Sequence, residues 1–110
     1  MAYDEALAQR IRELIADEQN VTEKKMFGGL GFMVGGNMAI AASGQGGVLV
    51  RVDPDETEKL LETTDARPFE MRGREMRGWL RVDTKNVATR PKLRKWVERG
   101  TAYARSLPPK

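Results

Sequence analysis

The most constraining feature of this chain is a change of hydrophobic period. From about Asp4 to Glu18, Leu7, Ile11, Leu14 and Ile15 recur at the spacing of one helical face. Further on the spacing drops to two. Leu30, Phe32 and Val34 alternate with other residues, as do Met38, Ile40 and Ala42, and Val48, Val50 and Val52. Glycine-rich breaks separate the three runs: Gly28-Gly29, Gly35-Gly36-Asn37 and Gly44-Gln45-Gly46-Gly47. A helix followed by a meander of short antiparallel hairpins is the reading this pattern imposes, with a first short strand at Lys25-Met26-Phe27. Each alternating set is expected to face one core.

The second half returns to helix, then strand, then helix. Asp53-Pro54-Asp55-Glu56 is a helix start, with Asp53 as cap and proline at the first helical position. That helix is predicted to run to about Thr63 and to bury Leu60 and Leu61. A short extended piece follows at Pro68-Phe69-Glu70-Met71. From Met76 to Asp83 the pattern predicts a strand, with Met76, Leu80 and Val82 inward and Arg77, Trp79, Arg81 and Asp83 outward. The last helix is predicted from Thr89-Arg90-Pro91 to about Ser106, burying Leu93, Trp96, Val97, Gly100, Ala104 and Leu107 before Pro108-Pro109 stops it. The order α-β-β-β-β-α-β-β-α defines a two-layer α+β fold, an antiparallel sheet with helices packed on one face. At 110 residues the chain suits one domain spanning 1–110.

Two residue types are missing altogether. With no cysteine and no histidine, thiolate nucleophiles, Ser-His-Asp triads and single-chain Cys/His zinc sites cannot be built. No catalytic residue, metal site or cofactor is therefore expected. Carboxylate chemistry stays open in principle, but most Asp and Glu here sit where helix caps and solvated helix faces are predicted. No apolar run is long enough to span a bilayer, so no membrane partner is expected. The N-terminus, MAYDEALAQR, lacks the basic start and apolar stretch of a signal peptide, and together with the missing cysteines this favours the cytoplasm.

Charge is unevenly distributed. Residues 1–66 carry 6 Lys+Arg against 12 Asp+Glu, a net −6, and residues 67–110 carry 13 against 4, a net +9. Such asymmetry suits a surface that meets phosphates or an acidic partner, or one that folds back on the acidic half. Three groups of residues stand out. Arg77, Trp79 and Arg81 share one face if the strand is regular, and an aromatic between arginines can stack a base or form an intramolecular cation–π cluster. Arg72 and Arg74 flank Gly73 in what reads as an exposed turn, either phosphate contacts or a solvated hairpin tip. Lys92, Lys95 and Arg99 form one stripe of the last helix, opposite its apolar face, able to lie on a DNA backbone but without Asn or Gln for base reading. A protein partner or a homodimer paired through the sheet is the alternative to DNA.

The glycines around Gly29 do not make a phosphate loop. There is no Gly-Lys-Ser/Thr entering a helix, and the run lies between two strands rather than between a strand and a helix. They read instead as a bulge or tight turn that admits only glycine. The stretch Lys25-Met26-Phe27-Gly28-Gly29-Leu30-Gly31-Phe32 resembles the opening signature of the TfoX N-terminal domain family, of the TfoX/Sxy type. The similarity continues through Asn37-Met38, Val48-Leu49-Val50-Arg51, Pro68-Phe69 and the helix bearing Leu93, Trp96 and Ala104. It implies a secretion-chaperone-like two-layer α+β fold and an association with DNA uptake and transcription. It carries no catalytic residues. Full-length regulators of the family add a C-terminal helical domain; this chain ends at Lys110 and is expected to be the N-terminal domain standing alone.

Overall fold

The computed structural model describes residues 3–26 and 28–109. Helix α1 spans Glu5–Leu14, with the Asp4 carboxylate accepting from the backbone N–H groups of Ala6 and Leu7. This satisfies two of the donors that a helix start leaves unpaired. The helix ends at Leu14, short of the Glu18 read from sequence, and Ile15 is buried from the turn beyond it. Strands β1 (Val21–Met26), β2 (Gly29–Val34), β3 (Asn37–Ala42) and β4 (Val48–Arg51) form the meander. The first strand begins at Val21 rather than Lys25. Its earlier start leaves no trace in the pattern because only Val21 and Met26 are even partly buried in it, so its polar sequence carries no alternation.

A 3₁₀ turn at Pro54–Glu56, capped by the Asp53 carboxylate on the N–H of Asp55, leads into α2 (Thr57–Thr63). Strands β5 (Arg67–Met71) and β6 (Arg74–Val82) make a second hairpin. A further 3₁₀ turn at Thr84–Val87 precedes α3 (Arg90–Ser106). The sheet order is β1-β2-β3-β4-β6-β5, antiparallel throughout. The α+β element order therefore stands as the sequence indicated.

One core lies between sheet and helices. Leu7 and Ile11 of α1, Phe32, Ile40, Val48, Val50, Leu80 and Val82 of the sheet, and Leu93, Trp96 and Val97 of α3 belong to it. Leu60 of α2 is buried there and Leu61 only partly. α3 packs mainly on β3, and it does so closely at Gly100, where a methyl group would collide with the Ala39 carbonyl oxygen.

Two irregularities reassign side chains predicted from strict alternation. The β2–β3 register runs Phe32↔Ile40 and then Met33↔Met38, so Ala39 is an extra residue on β3. Ala39, Ile40 and Ala42 all join the main core, while Met38 and Ala41 join a second cluster with Leu49 on the sheet's other face. Met38 thus faces away from Ile40, contrary to expectation, because one bulged residue reverses the period-two phase. On β6, Gly78 takes φ +89° and its N–H donates to Thr57 Oγ1 at 2.8 Å, while its carbonyl accepts from Val52 N–H. The β5–β6 register shifts there between Pro68 and Glu70. Met76, read from sequence as inward, is exposed on the solvent side of this break.

Candidate functional site

Among the described residues no helix covers the outward face of the sheet, yet that face is not uniformly polar. Met38, Ala41 and Leu49 are buried on it, covered by half-buried Met26, Met33, Phe69 and Trp79. Met26 belongs to β1 and Phe69 to β5, the two opposite edges of the sheet. Six flat strands would hold these edges about 24 Å apart. Instead both side chains line one hollow of about 290 Å³, so the sheet curls around its outward face. Bulges such as those at Ala39 and Gly78 bend strands in this way.

The glycines of the signature shape this hollow. Gly28 lies in the β1–β2 connection; Phe27 lies outside the described residues. Gly29 and Gly31 occupy outward positions of β2, since Leu30, Phe32 and Val34 face the main core. A methyl group at Gly29 would strike the Ala42 carbonyl oxygen, and one at Gly31 would press on Met26 Sδ at 3.2 Å. Only a strand without side chains there lets the β3–β4 loop fold across Gly29 and Met26 lie over Gly31. Ser43 and Gly47 close that loop through a backbone bond of 3.0 Å, and Thr84 Oγ1 accepts from Gly47 N–H at 3.0 Å.

The structure separates Arg77 from Trp79, with which sequence periodicity grouped it, and leaves Arg81 on the same face as Trp79. Arg77 is drawn to the start of α2. Its Nε donates to Glu58 Oε2 at 3.1 Å, its Nη2 to the Pro54 carbonyl at 2.8 Å, and Asp55 stands 3.7 Å away. Glu58 is held below the usual glutamate range, first by its own backbone N–H and then by Arg77. The positive φ of Gly78 breaks the alternation that would have placed Arg77 beside Trp79.

Trp79 takes a different cation. The Arg51 guanidinium lies 5.3 Å from the Trp79 ring centre and 5.6 Å from that of Tyr103 on α3. Trp79 thus takes part in an intramolecular cation–π stack whose cation is Arg51 rather than Arg77 or Arg81. Arg51 sits in the acidic half of the sequence, and its pairing with Trp79 across β4–β6 is a register property that no local pattern shows. Arg81 keeps to the outward face, opposite Leu49 and Arg67, and donates to Gln45 Oε1 at 2.9 Å. Arg67 in turn pairs with Asp83 at 2.5 Å.

Arg72 and Arg74 stand exposed at the β5–β6 hairpin, where Arg72 (φ +56°) and Gly73 (φ +79°) form the two-residue turn. Arg72 also borders the hollow. Lys92, Lys95 and Arg99 lie together on α3, in a groove shared with Thr63, Thr64 and Asp65 at the end of α2. The stripe therefore borders the buried face on its Trp96 side rather than lying opposite it, and Arg99 covers the Trp96 ring at 4.6 Å. Arg90 and Arg94 add to the same half of α3. Arg10 of α1 donates to the carbonyls of Val87 and Ala88 just before it.

Part of the charge asymmetry is cancelled internally. Arg77 returns to Glu58 and Asp55, and Arg105 to Glu18 at 3.1 Å, both across the sequence divide. Arg90, Lys92, Arg94, Lys95 and Arg99 form no ion pair among the described residues.

Fold and surfaces together define a two-layer α+β domain with a curled, glycine-shaped outward sheet face and a basic terminal helix. The family model of the TfoX N-terminal domain matches residues 13–104. The chain belongs to that family, which is regulatory and associated with competence. No curated protein matches the chain. Among the described residues, no helix is long and apolar enough to cross a membrane.

Proposed function

We propose that this domain is a cytoplasmic regulatory module that works by binding rather than by catalysis, and that the first half of α3 contacts the sugar–phosphate backbone of DNA. One observation carries the reading. Five cations, Arg90, Lys92, Arg94, Lys95 and Arg99, fall within the first ten residues of α3, and the first turn holds no acid. Arg90 and Lys92 lie in the first turn, where positive charge is unfavourable by about 0.3–1 kcal/mol for an exposed group. Those two work against the fold's stability, and none of the five forms an ion pair among the described residues. A polyanion supplies the missing counter-charge. Contacts of this type fix position without reading sequence. The family's regulatory association supports the same reading.

The test is fluorescence anisotropy with a short labelled duplex, repeated across a salt series. Affinity should fall steeply with salt, with a slope of about −0.9 per phosphate neutralised. The double variant Lys92→Ala/Lys95→Ala should bind more weakly and with a slope shallower by about 2. It should do so equally on unrelated duplex sequences. Absence of binding at low salt removes DNA from the account. The outward sheet face favours a second reading, a protein-interaction module without nucleic-acid contact. Its homodimeric form predicts a concentration-dependent mass in sedimentation.

A further inference from the structure

We infer that the curled outward face of the sheet is a docking site for an acidic, extended peptide segment of a partner protein, anchored by one large apolar side chain. This inference concerns a different surface from α3 and does not depend on the DNA reading.

The hollow of about 290 Å³ has an apolar floor of Met26, Met38, Ala41 and Leu49, with Phe69 at its margin. Beside it lies a second depression, of about 450 Å³, lined by Arg67 and Arg81. The two share Gln45, Phe69 and Glu70, so they form one groove with an apolar end and a cationic end. Arg72 stands at the apolar end. Arg67 is already paired with Asp83, so Arg72 and Arg81 are the lining cations without an ion pair among the described residues, against one lining carboxylate, Glu70.

Size and chemistry select the occupant. Sites for cofactors and drug-sized ligands run from about 300 to 1,000 Å³ and enclose most of the ligand. The apolar hollow falls just short of that range and is open on one side, which suits a single side chain presented by a longer segment. Its floor is rich in methionine, whose flexible thioether adapts to anchors of differing shape. The adjoining arginines complement carboxylates following the anchor, and planar guanidinium groups hold carboxylates in two-point contacts. An acidic segment also avoids the repulsion that the net charge of +3 imposes on a basic one.

A random twelve-residue peptide display library, selected on the immobilised full chain, tests this. Selected peptides should share an aliphatic or aromatic anchor with Asp or Glu close by. A synthetic peptide of the selected sequence should shift the methyl resonances of Met26 and Met38 and leave the α3 amides unmoved. The double variant Arg72→Glu/Arg81→Glu, which alters side chains outside the core, should keep the parent melting temperature and bind that peptide at least about tenfold more weakly. Lys92→Ala/Lys95→Ala should bind it as the parent does. Selection of peptides without acids or without an anchor overturns the proposal, as does binding that ignores the two arginine reversals. If single-stranded oligo-dT moves the Met26 and Met38 methyls and the peptides do not, the face is a nucleic-acid platform and the proposal falls. Because the two surfaces share no residue, failure here leaves the α3 reading untouched, and failure there leaves this one.

Discussion

At the scale of single residues, the decisive positions are those where a side chain has no room or only one partner. Gly100 is the sharpest. Replacing glycine by alanine inside a helix ordinarily stabilises it by about 1 kcal/mol. Here the added methyl meets the Ala39 carbonyl, which the β3 bulge presents to α3. Gly100→Ala should therefore destabilise the protein, by about 1–3 kcal/mol as overpacked sites do, measured by urea denaturation. A stabilised variant would mean that α3 is not seated on β3 at this distance. Glu23 offers a test by pH. Its carboxyl is held below the ordinary value of 4.5, chiefly by the hydrogen bond from Arg12, whose Nε lies 2.6 Å away. A lowered carboxyl pKa stabilises the fold above the unfolded value, and the benefit disappears as pH falls through the folded one. Glu23→Gln should thus melt slightly below the parent at neutral pH, with the difference closing as pH drops below 4.5. A difference that persists in acid would place the effect elsewhere than in the ion pair.

At the scale of elements, the outcome turns on how strands depart from regularity. Two of the alternating runs were legible throughout because burial on one face leaves a period-two trace, and Leu30, Phe32, Val34, Val48, Val50 and Val52 all lie in the core as read. Met38 and Met76 did not follow, since the Ala39 bulge and the Gly78 conformation each reset the phase without any signal that separates them from ordinary alternation. The first four residues of β1 lay outside the strand read at Lys25 because an edge strand with little burial on either face has no apolar pattern to show. The β5–β6 hairpin carries a residue-type conflict that can be tested. Its turn places Arg72 at φ +56°, a left-handed conformation that costs an ordinary residue about 1–2 kcal/mol and that Asn tolerates better. Arg72→Asn should raise the thermal midpoint through a gain of about 0.5–1 kcal/mol, while weakening peptide binding at the hollow. A loss of stability would contradict the turn geometry.

At the scale of the whole molecule, the sheet divides two kinds of surface. The helix side holds the main core and, on α3, the concentrated positive charge. The other side holds the glycine-shaped hollow and its arginines. DNA and the acidic peptide should therefore bind independently, and combining Lys92→Ala/Lys95→Ala with Arg72→Glu/Arg81→Glu should lose each ligand to the extent its own pair dictates. The sequence by itself determined the order of elements, the helix cap at Asp53, most of the buried stripe of α3 and the family, because these depend on neighbours within a turn or two and on a local motif. It also placed Arg72 and Arg74 at a turn and Lys92, Lys95 and Arg99 on one side of one helix, for the same reason. Only the tertiary structure decided that Arg77 leaves Trp79 for Glu58, that Arg51 takes its place, and that Met26 meets Phe69 across a sheet whose edges would otherwise stand far apart. Those outcomes depend on register shifts and on sheet curvature. Both are set by contacts between residues distant in the chain, where no local period records them.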